Sequence, residues 1–158
     1  MSLKDSVRDY WDKASCGEDL YLSSTSREGY REQAKARYRL EGEMIFPFAH
    51  FQESRGLEVL EIGVGLGADH QRFALAGERL TGIDITPRAV AHTQQRLKSL
   101  GLNSSLKEAD AENLPFAAEC FDLVYSWGVL HHSPDTQSAV NEVFRVLKWG
   151  GSTYYDLQ

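Results

Sequence analysis

The sequence predicts an α/β fold, a doubly wound and mainly parallel sheet preceded by an N-terminal helical flap. Three observations carry the prediction. From Gly56 onward, apolar runs of strand length alternate with helix-period stretches. The glycine turn Gly63-Val64-Gly65-Leu66-Gly67 follows the first run directly, and Thr86-Pro87 opens a helix just after the second. Strand–helix alternation with short connections implies a parallel sheet covered by helices, and right-handed crossovers place helices on both faces.

In chain order, the first strand is expected over 57–62 and a helix over 66–76, stopped by Gly77. The second strand is expected over 79–83 with Asp84 at its end. The Thr86-Pro87 helix then runs to Leu100, with Gly101 as its C-terminal cap. A short third strand covers 104–109 before Asp110, and 111–119 reads as a loop. Phe121 to Ser126 is the fourth strand. Ser133-Pro134-Asp135 repeats the cap-then-proline pattern and starts a helix reaching Leu147. Gly150-Gly151 turns the chain into a last strand over 152–157. Upstream, 26–51 reads as helical with Pro47 interrupting it, so 1–56 is expected to be a flap packed on a 57–158 ligand-binding unit.

The 158 residues suffice for one substantial core, and 42% hydrophobic with 25% charged residues is an ordinary globular profile. The net charge of −6 and the lack of a Lys/Arg stripe argue against nucleic acid as partner. No apolar run approaches the roughly 18 residues a membrane helix needs. The charged N-terminus does not resemble a signal peptide, and Cys16 and Cys120 show neither metal spacing nor a disulfide framework. A reducing cytoplasm is the expected compartment, no metal site is expected, and both cysteines read as packing thiols.

Ligands of an open parallel sheet bind beyond the carboxyl ends of its strands. The residues placed there are Glu61 to Gly67, Asp84, Asp110, and Ser126-Trp127-Gly128. Gly63 to Ala68 also satisfies G-x-G-x-x-A, with Asp84 about 20 residues on, as a dinucleotide site requires. A dinucleotide, however, sets its pyrophosphate on the helix N-terminus. Glu61 enters this turn and Asp69 follows it, and both carboxylates would repel the phosphates. A cationic, phosphate-free nucleoside such as S-adenosylmethionine is the better match.

The segments 59–67 (VLEIGVGLG), 82–86 (GIDIT), 110–116 (DAENLPF), 121–132 (FDLVYSWGVLHH) and 145–151 (RVLKWGG) together resemble class I S-adenosylmethionine-dependent methyltransferases. The subgroup resembled acts on small molecules and includes quinone-biosynthesis methyltransferases. The resemblance implies a Rossmann-like methyltransferase fold and a small-molecule methyl acceptor. It places the backbone of Gly63, Gly65 and Gly67 against the cofactor and Glu61 beneath its ammonium group. Asp84 would take the ribose hydroxyls, Ile85 would pack on adenine, and Asp110 with the Ala111 amide would read the adenine edge. Ser126 and Trp127 would line the methionine side by backbone contact.

Methyl transfer relies mainly on in-line alignment, so no catalytic base is assigned. His131 and His132 are read as packing or cleft-facing residues, and His50, His70 and His92 as surface or helix positions. Members of the family usually continue with a further helix and an antiparallel strand pair. This sequence stops at Gln158, so the expectation is a sheet without those strands. Its last strand, bearing Tyr154 and Tyr155, would then be an edge open to a second copy. Trp149 stands where the family usually has proline. Two rival readings follow: a non-catalytic S-adenosylmethionine-binding module and an NAD-dependent oxidoreductase.

Overall fold

Ser26 and Thr86 each begin a helix in the same way. Their side-chain oxygens accept the backbone N–H three residues on, satisfying a donor the first turn leaves orphaned. In the computed structural model, which describes residues 2–53, 55–77 and 79–157, six helices and five strands follow from such local signals. The expected outer bounds at Met1 and Gln158 lie outside the described residues. Helices α1 (Leu3–Lys13), α2 (Glu18–Tyr21) and α3 (Arg27–Ala49) precede β1 (Glu58–Ile62) and α4 (Ala68–Ala76). Then come β2 (Arg79–Asp84), α5 (Pro87–Ser99), β3 (Ser105–Glu108), β4 (Phe121–Ser126), a 3₁₀ turn at Leu130–His132, α6 (Thr136–Val146) and β5 (Leu147–Tyr155).

All four strand pairings are parallel, in the order β3-β2-β1-β4-β5. Chain progression therefore reverses between β1 and β4, which creates the crevice where such sheets bind ligands. Alternate residues of β1 serve opposite faces. Leu60 and Ile62 pack with Val124, Leu130, Val143 and Val146, on the α6 side. Val59 packs with Leu123, Tyr125, Ile45 and Phe73, on the α3 and α4 side. Glu61 shares the second face, which decides its neighbours. No helix among the described residues is long and apolar enough to cross a membrane.

Three local expectations are corrected. Pro47 does not interrupt α3, because it sits in the last turn, where its missing N–H costs one bond and leaves the preceding turns intact. The last helix starts at Thr136 rather than beside Ser133, because Asp135 caps it by accepting the Ser138 N–H while Ser133 bonds Glu112. Gly150-Gly151 is not a turn ahead of the last strand. β5 already pairs at Leu147 with Phe121, and the register then shifts so that Leu123 faces Ser152, leaving the glycines in an irregular bulge.

Candidate functional site

The carboxyl ends of four strands surround one cleft of about 230 Å³, far larger than a packing void of a close-packed interior. β1 delivers the turn Gly63–Gly67, β2 ends at Asp84, and the segment after β3 brings Asp110 and Ala111, while Trp127 follows β4. The Ala109 N–H donates to the Asp84 carbonyl at 2.8 Å, which ties the third corner to the second.

The turn is held by its own amides. Gly63 and Val64 N–H both donate to the Ile83 carbonyl (2.8 and 3.1 Å), and Gly67 N–H donates to the Val64 carbonyl (2.8 Å). Gly65 N–H goes to Asp84 Oδ2 at 3.1 Å. Four of the five amides from Gly63 to Gly67 are thus committed within the protein. Gly63 has φ +81°, and a Cβ there would lie 2.2 Å from Val129 Cγ2, so only glycine lets the turn close on the loop after β4. Gly65 (φ +51°) has open space where its side chain would be, which leaves bare backbone on the cleft.

Asp84 Oδ1 accepts the Thr86 N–H and hydroxyl, both at 3.0 Å. Burial pushes its carboxyl above the usual range, and the hydrogen bonds from Thr86, Gly65 and Ile85 oppose that shift. It both organises the turn and faces the cleft. Ile85, Asp110 and Ala111 also line the cleft. Ser126 does not reach it: the residue is fully buried, and its hydroxyl donates to the Ile62 carbonyl at 3.1 Å.

Behind the turn, Asp69 is almost wholly buried. It accepts Arg37 Nη2 (2.8 Å), Tyr38 OH (2.8 Å) and Tyr125 OH (2.9 Å). Its charge is therefore matched by Arg37, so phosphate repulsion does not come from Asp69 as the sequence suggested. Glu61 bonds His70 through Oε2 and Nδ1 at 2.8 Å. Burial, reinforced by Asp69 and Asp84, raises the Glu61 carboxyl well above its usual range, with Arg37 opposing. His70 lies on helix α4, one of its two expected positions, but not at the surface. It is fully buried between Glu61 and Ser104, and burial pulls its pKa down to about 3. His92 is likewise engaged, bonding the Tyr30 hydroxyl and Glu18.

The N-terminal helix α1 also reaches the cleft. Lys4, Val7 and Trp11 of α1 form a cleft wall, and Lys4 Nζ bridges Asp110 (2.5 Å) and Glu112 (2.6 Å). Trp11 lies against the His132 ring, with centroids 5.2 Å apart. His132 lines the cleft, and burial, with His131 beside it, lowers its pKa. Arg37, Tyr38, Tyr125, Lys4 and Trp11 were absent from the expected site. The one usable signal was the aromatic and basic spacing of 30–44 and of Tyr10-Trp11.

The cleft thus gathers the carboxyl groups of Glu61, Asp84 and Asp110 around bare backbone, with four of the five turn amides spent. That set of acceptors fits a ligand rich in hydroxyl and ammonium groups better than a pyrophosphate, which needs free N–H groups.

Comparison with known proteins agrees. The methyltransferase-domain family matches residues 60–155. An uncharacterized protein of Mycobacterium tuberculosis is 37% identical over 97 residues, 61% of this chain and 35% of that protein. A chloroplastic 2-methyl-6-phytyl-1,4-hydroquinone methyltransferase of Oryza sativa is 34% identical over 98 residues, 61% of this chain and 29% of that protein. A solved SAM-dependent methyltransferase from Methanosarcina mazei shares 31% identity with a TM-score of 0.62, over 69% of this chain and 56% of that one. The chain spans about a third of the length of the curated relatives it matches. With its parallel sheet, its glycine turn and a family match over most of its length, the chain belongs to the class I S-adenosylmethionine-dependent methyltransferases.

Proposed function

We propose that this chain seats S-adenosylmethionine along the Gly63–Gly67 turn and transfers its methyl group to a small-molecule acceptor. The observation that carries the reading is the combination of three carboxyl groups with a turn that has four of its five amides already taken. When bound, the cofactor supplies an activated methyl group on a sulfonium.

The protein's task is then alignment and exclusion of water. Glu61 faces the ammonium, Asp84 accepts from ribose hydroxyls, and Ile85 covers adenine. Asp110 and the Ala111 amide take the adenine edge, and the backbone at Gly63, Gly65 and Gly67 permits close approach. Trp127 walls the methionine side, and Ser126 acts from beneath by fixing the end of β1 through Ile62. Val7 and Trp11 add apolar surface over the opening, which suits an organic acceptor. The quinone-type substrate of the rice relative supports the same acceptor class.

The test is methyl transfer from isotope-labelled cofactor into a fractionated metabolite pool, with Asp84→Asn as control. A labelled small molecule made by the wild type and not by the variant is expected. Saturable cofactor binding with no labelled product would instead favour a binding module.

A further inference from the structure

The hydrogen bonds running from Glu61 through His70 to Ser104 place their protons. Ser104 Oγ owns one hydrogen and lies 2.9 Å from the Leu80 carbonyl oxygen, which can only accept. It also lies 2.7 Å from His70 Nε2. For both contacts to be hydrogen bonds at once, the Ser104 proton goes to Leu80 and Ser104 accepts from Nε2, which then carries a hydrogen. His70 Nδ1 sits 2.8 Å from Glu61 Oε2. In a neutral imidazole protonated at Nε2, Nδ1 is bare, and the hydrogen in that contact must come from Glu61.

An imidazolium facing a carboxylate would satisfy the same count. The surroundings oppose it, because the ring is fully buried against the sheet. A Cβ on Gly82 would lie 2.5 Å from His70 Cε1, so the small residue on β2 makes room for the ring. Burial holds the imidazole neutral far below pH 7. Around Glu61, Asp69 on α4 and Asp84 after β2 disfavour a second negative charge, while the Tyr38 and Tyr125 hydroxyls turn toward Asp69. The nearby cation, Arg37 on α3, is shared between Asp69 at 2.8 Å and Glu41 at 3.1 Å.

We propose that Glu61 is a protonated acid in the unliganded protein, donating to His70, and that it releases this proton when the cofactor's ammonium group seats against it. The proposal rests on the cofactor reading above. The step balances: Glu61 CO₂H becomes CO₂⁻, one proton leaves to solvent, and the ammonium N–H bonds to the new carboxylate. His70 then adopts the Nδ1–H tautomer, donating to Glu61, and the Ser104 hydroxyl turns from Leu80 to the bared Nε2. His70 is a positioning residue that lets one carboxyl group serve as a neutral acid when the cleft is free and as an anion beneath a cation.

Calorimetry with S-adenosylhomocysteine near pH 7, in buffers of different ionisation enthalpy, counts the protons. We expect about one released per ligand, none with 5′-methylthioadenosine, which lacks the amino-acid portion, and none with Glu61→Gln. Affinity for S-adenosylhomocysteine should weaken up to tenfold per pH unit as pH falls. Imidazole nitrogen NMR of the free wild-type protein should show His70 protonated at Nε2 alone. Binding without proton release, or a free-protein spectrum with Nδ1 protonated, would overturn the proposal. Absence of any binding would instead refute the cofactor reading and the release step with it, while the nitrogen spectrum still judges the acid by itself.

Discussion

The two walls of the cleft are held by different forces. The wall behind the glycine turn is a dry network: Asp69 collects Arg37, Tyr38 and Tyr125, and Glu61 pairs with His70, all largely removed from water. The α1 wall has no buried residue. It is fastened by ion pairs that reach solvent on at least one side, Lys4–Asp110 (37% and 28%), Lys4–Glu112 (37% and 11%) and Arg8–Glu108 (47% and 43%), and by the Trp11–His132 contact. Exposed pairs contribute from nothing to about 1 kcal/mol, whereas breaking a buried pair leaves an uncompensated charge. The difference teaches that the seat is rigid and the cover is loosely fastened, as a cleft that must admit a ligand requires.

The comparison can be broken most forcefully at Asp69. Asp69→Ala strands the Arg37 charge and two buried hydroxyls, and denaturant unfolding should show a loss of about 3–5 kcal/mol. A loss below 1 kcal/mol would erase the distinction between the walls. Next, hydrogen exchange should show α1 amides exchanging on the order of a hundredfold faster than those of β1, because local opening of α1 exposes little apolar surface. Equal protection would contradict the loose cover.

A smaller effect concerns pH. Glu61 has a raised pKa, so its contribution to stability is present below its unfolded value near 4.5 and is lost as pH rises through the folded value. His70 has a lowered pKa, so its contribution is present above 6.5 and is lost as pH falls toward about 3. Between 4.5 and 6.5, folded and unfolded pairs hold one proton each, and the two slopes cancel. Glu61→Gln keeps the His70 slope alone, so it gains stability up to pH 6.5, while wild type is flat from 4.5 to 6.5 and falls above it. Wild type should therefore lose stability relative to Glu61→Gln from about pH 4.5 upward, by at most ~1.4 kcal/mol per unit. The smallest effect is at Lys4. Lys4→Ala should change stability by less than about 1 kcal/mol. It should tighten S-adenosylhomocysteine binding two- to threefold, roughly, by freeing Asp110 Oδ2. Weaker binding would mean that Lys4 helps to hold the ligand.

What was legible in the sequence is what local pattern determines. The alternation of strands and helices, the turn at 63–67, and Asp84 and Asp110 at strand ends each follow from a few adjacent residues. What was not legible depends on distant contacts. Arg37 meets Asp69 from 32 positions away, Tyr125 from 56, and Lys4 reaches Asp110 across 106. His70 reads as a surface or helix position, and its polar neighbours on α4 give no sign of burial. Its burial becomes intelligible only with Gly82 on the adjacent strand making space for it. Ser126 ends a strand, so a backbone contact with the ligand is expected there, but that its hydroxyl turns to Ile62 depends on a residue 64 positions away.

The central claim, that the strand ends form a seat for S-adenosylmethionine, is tested most directly by titrating the protein with S-adenosylhomocysteine in a calorimeter beside NADH. Saturable one-to-one binding of S-adenosylhomocysteine is expected, weakened tenfold or more by Asp84→Asn, with no heat from NADH. Saturable NADH binding, or no response to S-adenosylhomocysteine, would contradict it.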